Sequence, residues 1–362
     1  MITVGFVGLG LIGGSIAKAL KKSSDDIYIV AYNRSPAPLA RAAEDGVVDR
    51  CADSVGSAFS DCDIIFLCTP VEHNSTYLSV LRDIIRPGAI ITDVGSVKGH
   101  IHRIVSDLNM DGCFIGGHPM AGSEKTGYEA STDILLQNAY YAVTPTKLTS
   151  PSALEFYVDI IKRTGAIPII TDADRHDYAV AGISHVPHLI ASSLVNLVAD
   201  NDTDDELMRL LAAGGFKDIT RIASSSAQMW SQIASANAKQ ISRLLKLYID
   251  SLTRIKADID NADKDAIFDM FIRSKEYRDS INVKKGEALY QSHALYCDIE
   301  DREGAISEIT LLLSDNGINI KNIEIIHNRE YTEGVMMIEF YNVAAYNSAY
   351  DILTHNNYIV HK

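Results

Sequence analysis

The chain has 362 residues, 47% apolar and 22% charged, which fits a soluble globular protein of two or three domains and is too long for one ordinary core. Its 33 Lys and Arg against 47 Asp and Glu leave a formal charge of −14, which argues against nucleic acid or an anionic membrane as partner. The five cysteines, Cys51, Cys62, Cys68, Cys113 and Cys297, form no CxxC and no cluster with histidine, so neither a disulfide framework nor a metal site is expected, and the cytoplasm is the natural compartment.

The opening run Ile2–Val7 lacks a basic leader and a cleavage site, and reads as a first strand and not a signal peptide. No apolar stretch reaches the ~18 residues that a membrane span requires. Up to about residue 170, β-rich runs at Ile2–Val7, Ile27–Tyr32, Ile64–Cys68, Ile90–Asp93, Cys113–Gly116 and Tyr141–Thr144 alternate with helical patterns such as Gly13–Lys22 and Pro38–Asp45. This alternation predicts an α/β Rossmann-type domain over residues 1–172, with a mostly parallel sheet and helices on both faces.

Gly8-Leu9-Gly10-Leu11-Ile12-Gly13 follows the first strand and opens a helix, the context in which GxGxxG binds a dinucleotide. The first two glycines permit the turn and the close approach of a pyrophosphate, and the third lets helix and strand pack. The second strand ends in Tyr32-Asn33-Arg34-Ser35, where an NAD enzyme usually carries Asp or Glu. Asn33 does not repel a 2′-phosphate and Arg34 is able to pair with one, so the expected cofactor is NAD or NADP.

Three strand ends are expected to meet at the carboxyl edge of the sheet, where ligands of open α/β folds bind. Thr69-Pro70 is placed to approach the nicotinamide, and Asp93-Val94-Gly95-Ser96-Val97-Lys98 offers the Ser96 hydroxyl. The stretch Gly116 to Gly127 reads as a tight, close-approach loop rather than a helix or strand, and it holds His118, a side chain able to take a proton at neutral pH.

Strand signals vanish from about Asp174 to Lys285, which predicts an all-α domain over 173–288. His176–Ala199, Asp205–Ala213, Ser226–Ile259 and Lys264–Val283 read as helices, with Asp200–Asp205 and Gly214-Gly215 as breaks. Ile233, Ala236, Ile241, Leu244, Leu245, Tyr248 and Leu252 share one broad apolar face, so a homodimer is expected. Ser184-His185-Val186-Pro187-His188 puts two histidines on one helix face, without a third group at metal-ligand spacing. Lys217 and Arg221, at i and i+4, read as a carboxylate clamp that supplies local positive charge to an acidic chain. The last segment, 293–362, shows the order βαββαβ of a ferredoxin-like α+β unit.

GLGLIGGS, DVGSVKG, GGHPMAGSEKTG, SHVPH and FKDITRIA occur in the order seen in prephenate dehydrogenases, and over roughly residues 1–285 the chain resembles that family. The tail, with Asp301 to Ile306 and Asp315 to Ile320, resembles an ACT domain, a unit that binds small regulatory amino acids. The resemblance implies an NAD(P)-dependent oxidative decarboxylation of prephenate to 4-hydroxyphenylpyruvate, with tyrosine as effector at the tail. On these residues it implies that His118 takes the proton of the ring 4-hydroxyl and that Ser96 holds the same hydroxyl and the nicotinamide end. Arg221 with Lys217 would bind substrate carboxylate, His185 and His188 would line the ring pocket, Glu124 would gate it, and Trp230 would form an apolar wall. Arogenate dehydrogenase, the same chemistry with an ammonium in place of the keto group, is the nearest alternative. A non-catalytic amino-acid sensor is a more distant one.

Overall fold

The computed structural model describes residues 1–122, 125–281, 293–300, 302–326 and 334–361. The chain forms two compact units, Met1–Arg254 and Ile255–Lys362.

The first unit opens with β1 (Ile2–Val7), α1 (Leu11–Ser23), β2 (Ile27–Tyr32), α2 (Pro36–Glu44), β3 (Arg50–Cys51), β4 (Ile64–Leu67), α3 (Val71–Arg82), β5 (Ile90–Asp93) and α4 (Gly99–Asp107). The five strands form a parallel sheet in the order β3-β2-β1-β4-β5. Side chains alternate between its faces, so each face has its own core. Val4, Phe6, Ile29, Phe66 and the α1 residues Ile16 and Leu20 fill one, while Val7, Val30, Ile65, Leu67 and Ile91 fill the other.

A second sheet follows, from β6 (Ile115–Pro119), β7 (Tyr140–Pro145), α5 (Pro151–Arg163) and β8 (Ile167–Ile170). Its order is β6-β7-β8, antiparallel between β6 and β7 and parallel between β7 and β8. A parallel bridge from Ile91 to Phe114 seats β6 beside β5, which brings the carboxyl ends of β1, β4, β5 and β6 to one edge.

Here the structure corrects the reading of residues 116–127 as wholly loop. Ile115–Pro119 is a strand, with His118 opposite Ala142. Its glycines serve packing, not turning: a Cβ on Gly116 would meet the Thr144 hydroxyl and His102 Nε2 (2.9 Å), and one on Gly117 would meet the hydroxyls of Tyr157 and Tyr141 and the Asp93 carbonyl (2.7 Å for the last). Glu124 lies outside the described residues.

The helical part runs through α6 (Ala173–Val180), a π-helical segment Ala181–His185, α7 (Val186–Asn201), α8 (Leu207–Leu211), α9 (Gly214–Thr220), a 3-10 turn Arg221–Ser224, α10 (Ala227–Ala236) and α11 (Ala238–Asp260). Three expectations change. The helix expected at His176–Ala199 carries a π turn, in which the Val186 amide donates to the Ala181 carbonyl, five residues back. Gly214-Gly215 starts a helix instead of breaking one. The single helix expected over Ser226–Ile259 is divided at Asn237, whose backbone leaves helical geometry at φ −110° and ψ 25°. Ala173–Asn201 as a whole is long and apolar enough to cross a membrane, against the expectation of no such stretch. It also carries buried His176, Asp177 and His185, which bond to other parts of the protein.

The second unit contains α12 (Lys264–Ile281) and then β9 (Ala294–Ile299), α13 (Ala305–Asp315), β10 (Ile320–Ile326), β11 (Gly334–Phe340), α14 (Val343–His355) and β12 (Val360–His361). The strands form an antiparallel sheet in the order β10-β11-β9-β12, so the βαββαβ order expected from the sequence is present. Leu295, Cys297, Ile309, Leu313, Ile338 and Leu353 are at the centre of its separate core. Gly317, at φ +70°, ends α13 in the left-handed conformation that glycine adopts without strain.

Candidate active site

The β1–α1 turn is built for a close-approaching ligand. Gly8 has φ +99°, and a Cβ there would meet the Cys68 carbonyl oxygen at 2.9 Å. A Cβ on Gly13 would meet the Gly8 carbonyl oxygen at 2.5 Å and Cys68 Cβ at 2.9 Å, so only glycine lets α1 pack this tightly. Among the described residues, a Cβ at Gly10 would meet nothing within 4 Å, and no side chain caps α1 there. Leu11 and Ile12 form its first turn, which contains no acidic residue. An open, uncapped N-terminus that is free of negative charge fits a pyrophosphate.

Asn33 has a part in this turn that its sequence position did not reveal. Its Oδ1 accepts the Leu9 amide at 3.0 Å, and its Nδ2 donates to the Ser35 carbonyl at 2.8 Å. The side chain therefore ties the end of β2 to the glycine turn, while Arg34 beside it is exposed. Thr69 follows β4, and its hydroxyl donates to Asn74 Oδ1 at 2.9 Å. Pro70 then caps α3, and the buried Nδ2 of Asn74 has no hydrogen-bond partner among the described residues.

Asp93 and Lys98 lock the end of β5 to β6. Lys98 is fully buried, and its Nζ donates to Asp93 Oδ2 (2.5 Å) and to the Gly117 carbonyl (2.6 Å). Asp93 also accepts the amides of Gly95 (3.0 Å) and Gly117 (3.3 Å). Both main-chain polar groups of the residue before His118 are thus fixed by one ion pair. Ser96 lies half-buried on the bend between Asp93 and Lys98.

His118 is half-buried at the carboxyl end of β6. Its Nδ1 lies 2.9 Å from Nε2 of His176, and His176 Nδ1 lies 2.9 Å from Asp177 Oδ1. The amides of Lys98 (2.7 Å) and Gly99 (2.8 Å) donate to the same carboxylate. Burial raises the Asp177 carboxyl, but the hydrogen bonds from His176, Lys98 and Gly99 outweigh it and leave the pKa below the ordinary value. Burial, followed by the fields of His176, Lys98 and His185, holds His118 well below the ordinary imidazole range. At neutral pH it is an uncharged base.

His185, His188 and Trp230, expected to line a ring pocket, form a second cluster. Burial pushes His185 down to about 4, against a raising contribution from Asp177. Asn237 Nδ2 reaches both His185 Nδ1 (3.1 Å) and the Asp177 carbonyl (2.8 Å), which explains the break between α10 and α11. His188 Nδ1 donates to the Ser184 carbonyl at 2.9 Å, and its ring stacks on Trp230 with centroids 3.6 Å apart. The buried Nε1 of Trp230, a residue expected to form an apolar wall, has no hydrogen-bond partner among the described residues. Lys217 is exposed on α9 and Arg221 is exposed at the C-cap of that helix, where the 3-10 turn begins. The α-helix ends between them, but Arg221 keeps right-handed helical angles. Its turn packs on α7, the helix of His188.

The sequence reading missed Asp93, Lys98, His176, Asp177 and Asn237. Asp93 and Lys98 stand inside a motif it had singled out for Ser96. The adjacent His176-Asp177 pair was visible only as the start of a helix.

Two families match the chain: "Prephenate dehydrogenase, nucleotide-binding domain" over residues 16–170 and "Prephenate dehydrogenase, dimerization domain" over 172–273. Prephenate dehydrogenase of Bacillus subtilis (strain 168) is 37% identical over 340 residues, covering 93% of this chain and 92% of its own. Among solved structures, prephenate dehydrogenase from A. aeolicus in complex with hydroxyphenyl propionate and NAD+ is 32% identical with a TM-score of 0.72, covering 78% of this chain and 98% of its own. Synechocystis arogenate dehydrogenase is 31% identical with the same TM-score of 0.72, covering 77% of this chain and 100% of its own. The chain belongs to the prephenate dehydrogenase family.

Proposed function

We propose that the chain is an NAD(P)-dependent prephenate dehydrogenase, which converts prephenate to 4-hydroxyphenylpyruvate and CO₂. The observation that carries the reading is His118, an uncharged imidazole fixed by glycine packing where the carboxyl ends of β4, β5 and β6 meet. The bound nicotinamide supplies a two-electron acceptor for the hydride from C4 of the substrate ring.

His118 takes the proton of the 4-hydroxyl as that hydride leaves, and Ser96 holds the hydroxyl. The electron pair of the bond to the departing carboxylate passes into the ring and makes it aromatic. Much of the driving force is therefore the substrate's own, and the protein supplies a base, orientation and carboxylate binding. Arg221 and Lys217 bind substrate carboxylate, His185, His188 and Trp230 line the ring pocket, and Glu124 gates it. Gly8 to Gly13 would hold the dinucleotide, with Asn33 and Arg34 serving its ribose and Thr69-Pro70 its nicotinamide.

A second reading, arogenate as substrate, is kept open by the likeness to the Synechocystis arogenate dehydrogenase, which has the same TM-score of 0.72. Initial rates on prephenate and arogenate, each with NAD and NADP, distinguish the two and settle the cofactor. His118→Asn is expected to lower kcat about 10²–10⁴-fold with little change in KM. Near-normal turnover in that variant refutes the base assignment.

Two further parts of the reading concern assembly and control. The exposed apolar side chains of Leu247 and Leu252 on α11, and of Phe268 and Phe271 on α12, suit a homodimer. The βαββαβ tail suits an ACT-type unit with tyrosine as effector, and a chain ending near residue 290 should then keep activity but lose tyrosine inhibition. The five free cysteines suit the cytoplasm.

A further inference from the structure

The file His118–His176–Asp177 has a directional logic that the proposed reaction does not by itself require. A carboxylate only accepts hydrogen bonds, so the 2.9 Å contact to Asp177 Oδ1 requires His176 to carry its proton on Nδ1. A neutral His176 then has a lone pair on Nε2, and the 2.9 Å contact there requires His118 to donate from Nδ1. What remains on His118 is an unprotonated Nε2, the form that takes a proton from substrate. The opposite tautomer of His118 would set two lone pairs against each other.

We infer that His176 and Asp177 are positioning residues, which hold His118 in the tautomer with a basic Nε2. The anchor of the file is itself fixed, because the Lys98 and Gly99 amides at the start of α4 donate to the two oxygens of Asp177. The Asp177 main chain is held as well, by the amide of Asn237. That amide's other contact, 3.1 Å to His185 Nδ1, uses the His185 lone pair and leaves His185 with a proton on Nε2. By the same logic a neutral His188, donating from Nδ1 to the Ser184 carbonyl, presents a lone pair. The three imidazoles therefore offer acceptor, donor and acceptor at their Nε2 atoms, each set by a partner on the other side of its ring. When His118 takes a proton, the developing positive charge faces a hydrogen-bonded path that ends on a carboxylate. This is the role of a base-orienting group, in which a wrong tautomer costs far more than a lost contact.

The inference rests on His118 as the base of the proposed reaction, and a readout without substrate separates the two. The full chain, labelled with ¹⁵N-histidine, gives ring-nitrogen shifts that report which nitrogen carries the proton. The His118 signals are identified by their loss in His118→Asn. The wild type is expected to show His118 protonated on Nδ1 and bare on Nε2 near pH 7.5. His176→Leu keeps the volume but removes the file, and is expected to mix the His118 tautomers and lower kcat by about 100-fold with KM changed less than about threefold. His176→Gln, whose carbonyl can accept from His118 and whose amide can donate to Asp177, is expected to recover the tautomer and most of the rate. A side chain needed only for packing would be replaced by leucine at least as well as by glutamine, so equal kcat in the two variants overturns the inference. A wild-type His118 protonated on Nε2 also overturns it. Wild-type protein that turns over neither prephenate nor arogenate, yet shows the expected tautomers, refutes the proposed reaction and leaves the file standing.

Discussion

Lys98→Met should be among the most damaging single substitutions in the first unit. Lys98 is fully buried and Asp93 is 1% exposed, and the ammonium donates both to the Asp93 carboxylate and to the Gly117 carbonyl. Burial alone would lower the lysine's pKa, and the Asp93 charge opposes that. Methionine fills similar space but, among the described residues, leaves Asp93 with the Gly95 and Gly117 amides alone. Breaking one side of such a pair costs about 3–5 kcal/mol, because the surviving charge stays buried. At roughly 2–4 °C per kcal/mol for a unit of this size, the melting temperature should fall by about 6–20 °C. The Lys22–Asp133 pair is an internal control. Lys22 is 71% exposed, so Lys22→Met should cost under about 1 kcal/mol. Adding Asp93→Asn to Lys98→Met removes the stranded charge and should recover a large part of the loss. Thermal and urea unfolding of the four proteins measure this directly. A Lys98→Met variant within 1 kcal/mol of the wild type would refute the reasoning, as would an equal loss in Lys22→Met.

Other tests address pH, packing and cofactor choice. His185 titrates near 4 and His118 lies well below its ordinary value, so in the native state both stay uncharged at pH values where the unfolded chain's imidazoles, near 6.5, bind protons. Stability should thus be intact above pH 6.5 and fall as the pH drops toward 4, by on the order of 3 kcal/mol for His185 alone, and urea melts across that window check it. The acid limb of kcat/KM should likewise lie below pH 6.5, and a limb near 7.5 would exclude an uncharged buried His118 as the base. Gly117→Ala forces a methyl against two tyrosine hydroxyls and the Asp93 carbonyl, so kcat should fall at least about tenfold along with stability, while near-normal kinetics would show that β6 can shift. Arg34→Ala should raise KM for NADP more than for NAD, and equal effects would remove Arg34 from cofactor choice.

Much of the fold was legible because the buried strands are short, dense apolar runs. The bounds of β1, β2 and β5 match those expected from the sequence. Gly116 and Gly117 were misjudged because glycine has two uses that look alike in a sequence, positive φ and close packing. The obstacles that require them, Thr144 and His102 at Gly116 and Tyr141 and Tyr157 at Gly117, lie elsewhere along the chain. Asn237 looked like a polar residue tolerated within a helix, and its purpose depends on Asp177, sixty residues earlier. The glycine turn and His118 stand out in the sequence by type and spacing, whereas Trp230 enters only through the family resemblance. The groups that hold those residues do not stand out, since an ordinary Lys, Asp or His acquires such a role only through burial and a partner.

The π turn at Ala181–His185 sets a different kind of constraint on this protein, one of length rather than identity. An added residue in a helix turns everything beyond it by about 100° and advances it by about 1.5 Å. His176 and Asp177 lie before that turn, and His188, stacked on Trp230, lies after it. Deleting one residue there would regularise the helix and could even strengthen it. It would also swing the half that carries His188 away from the half that carries His176. The exposed positions around Ile183 can therefore change type freely, whereas an insertion or deletion between His176 and His188 would dismantle the site while leaving a sound helix.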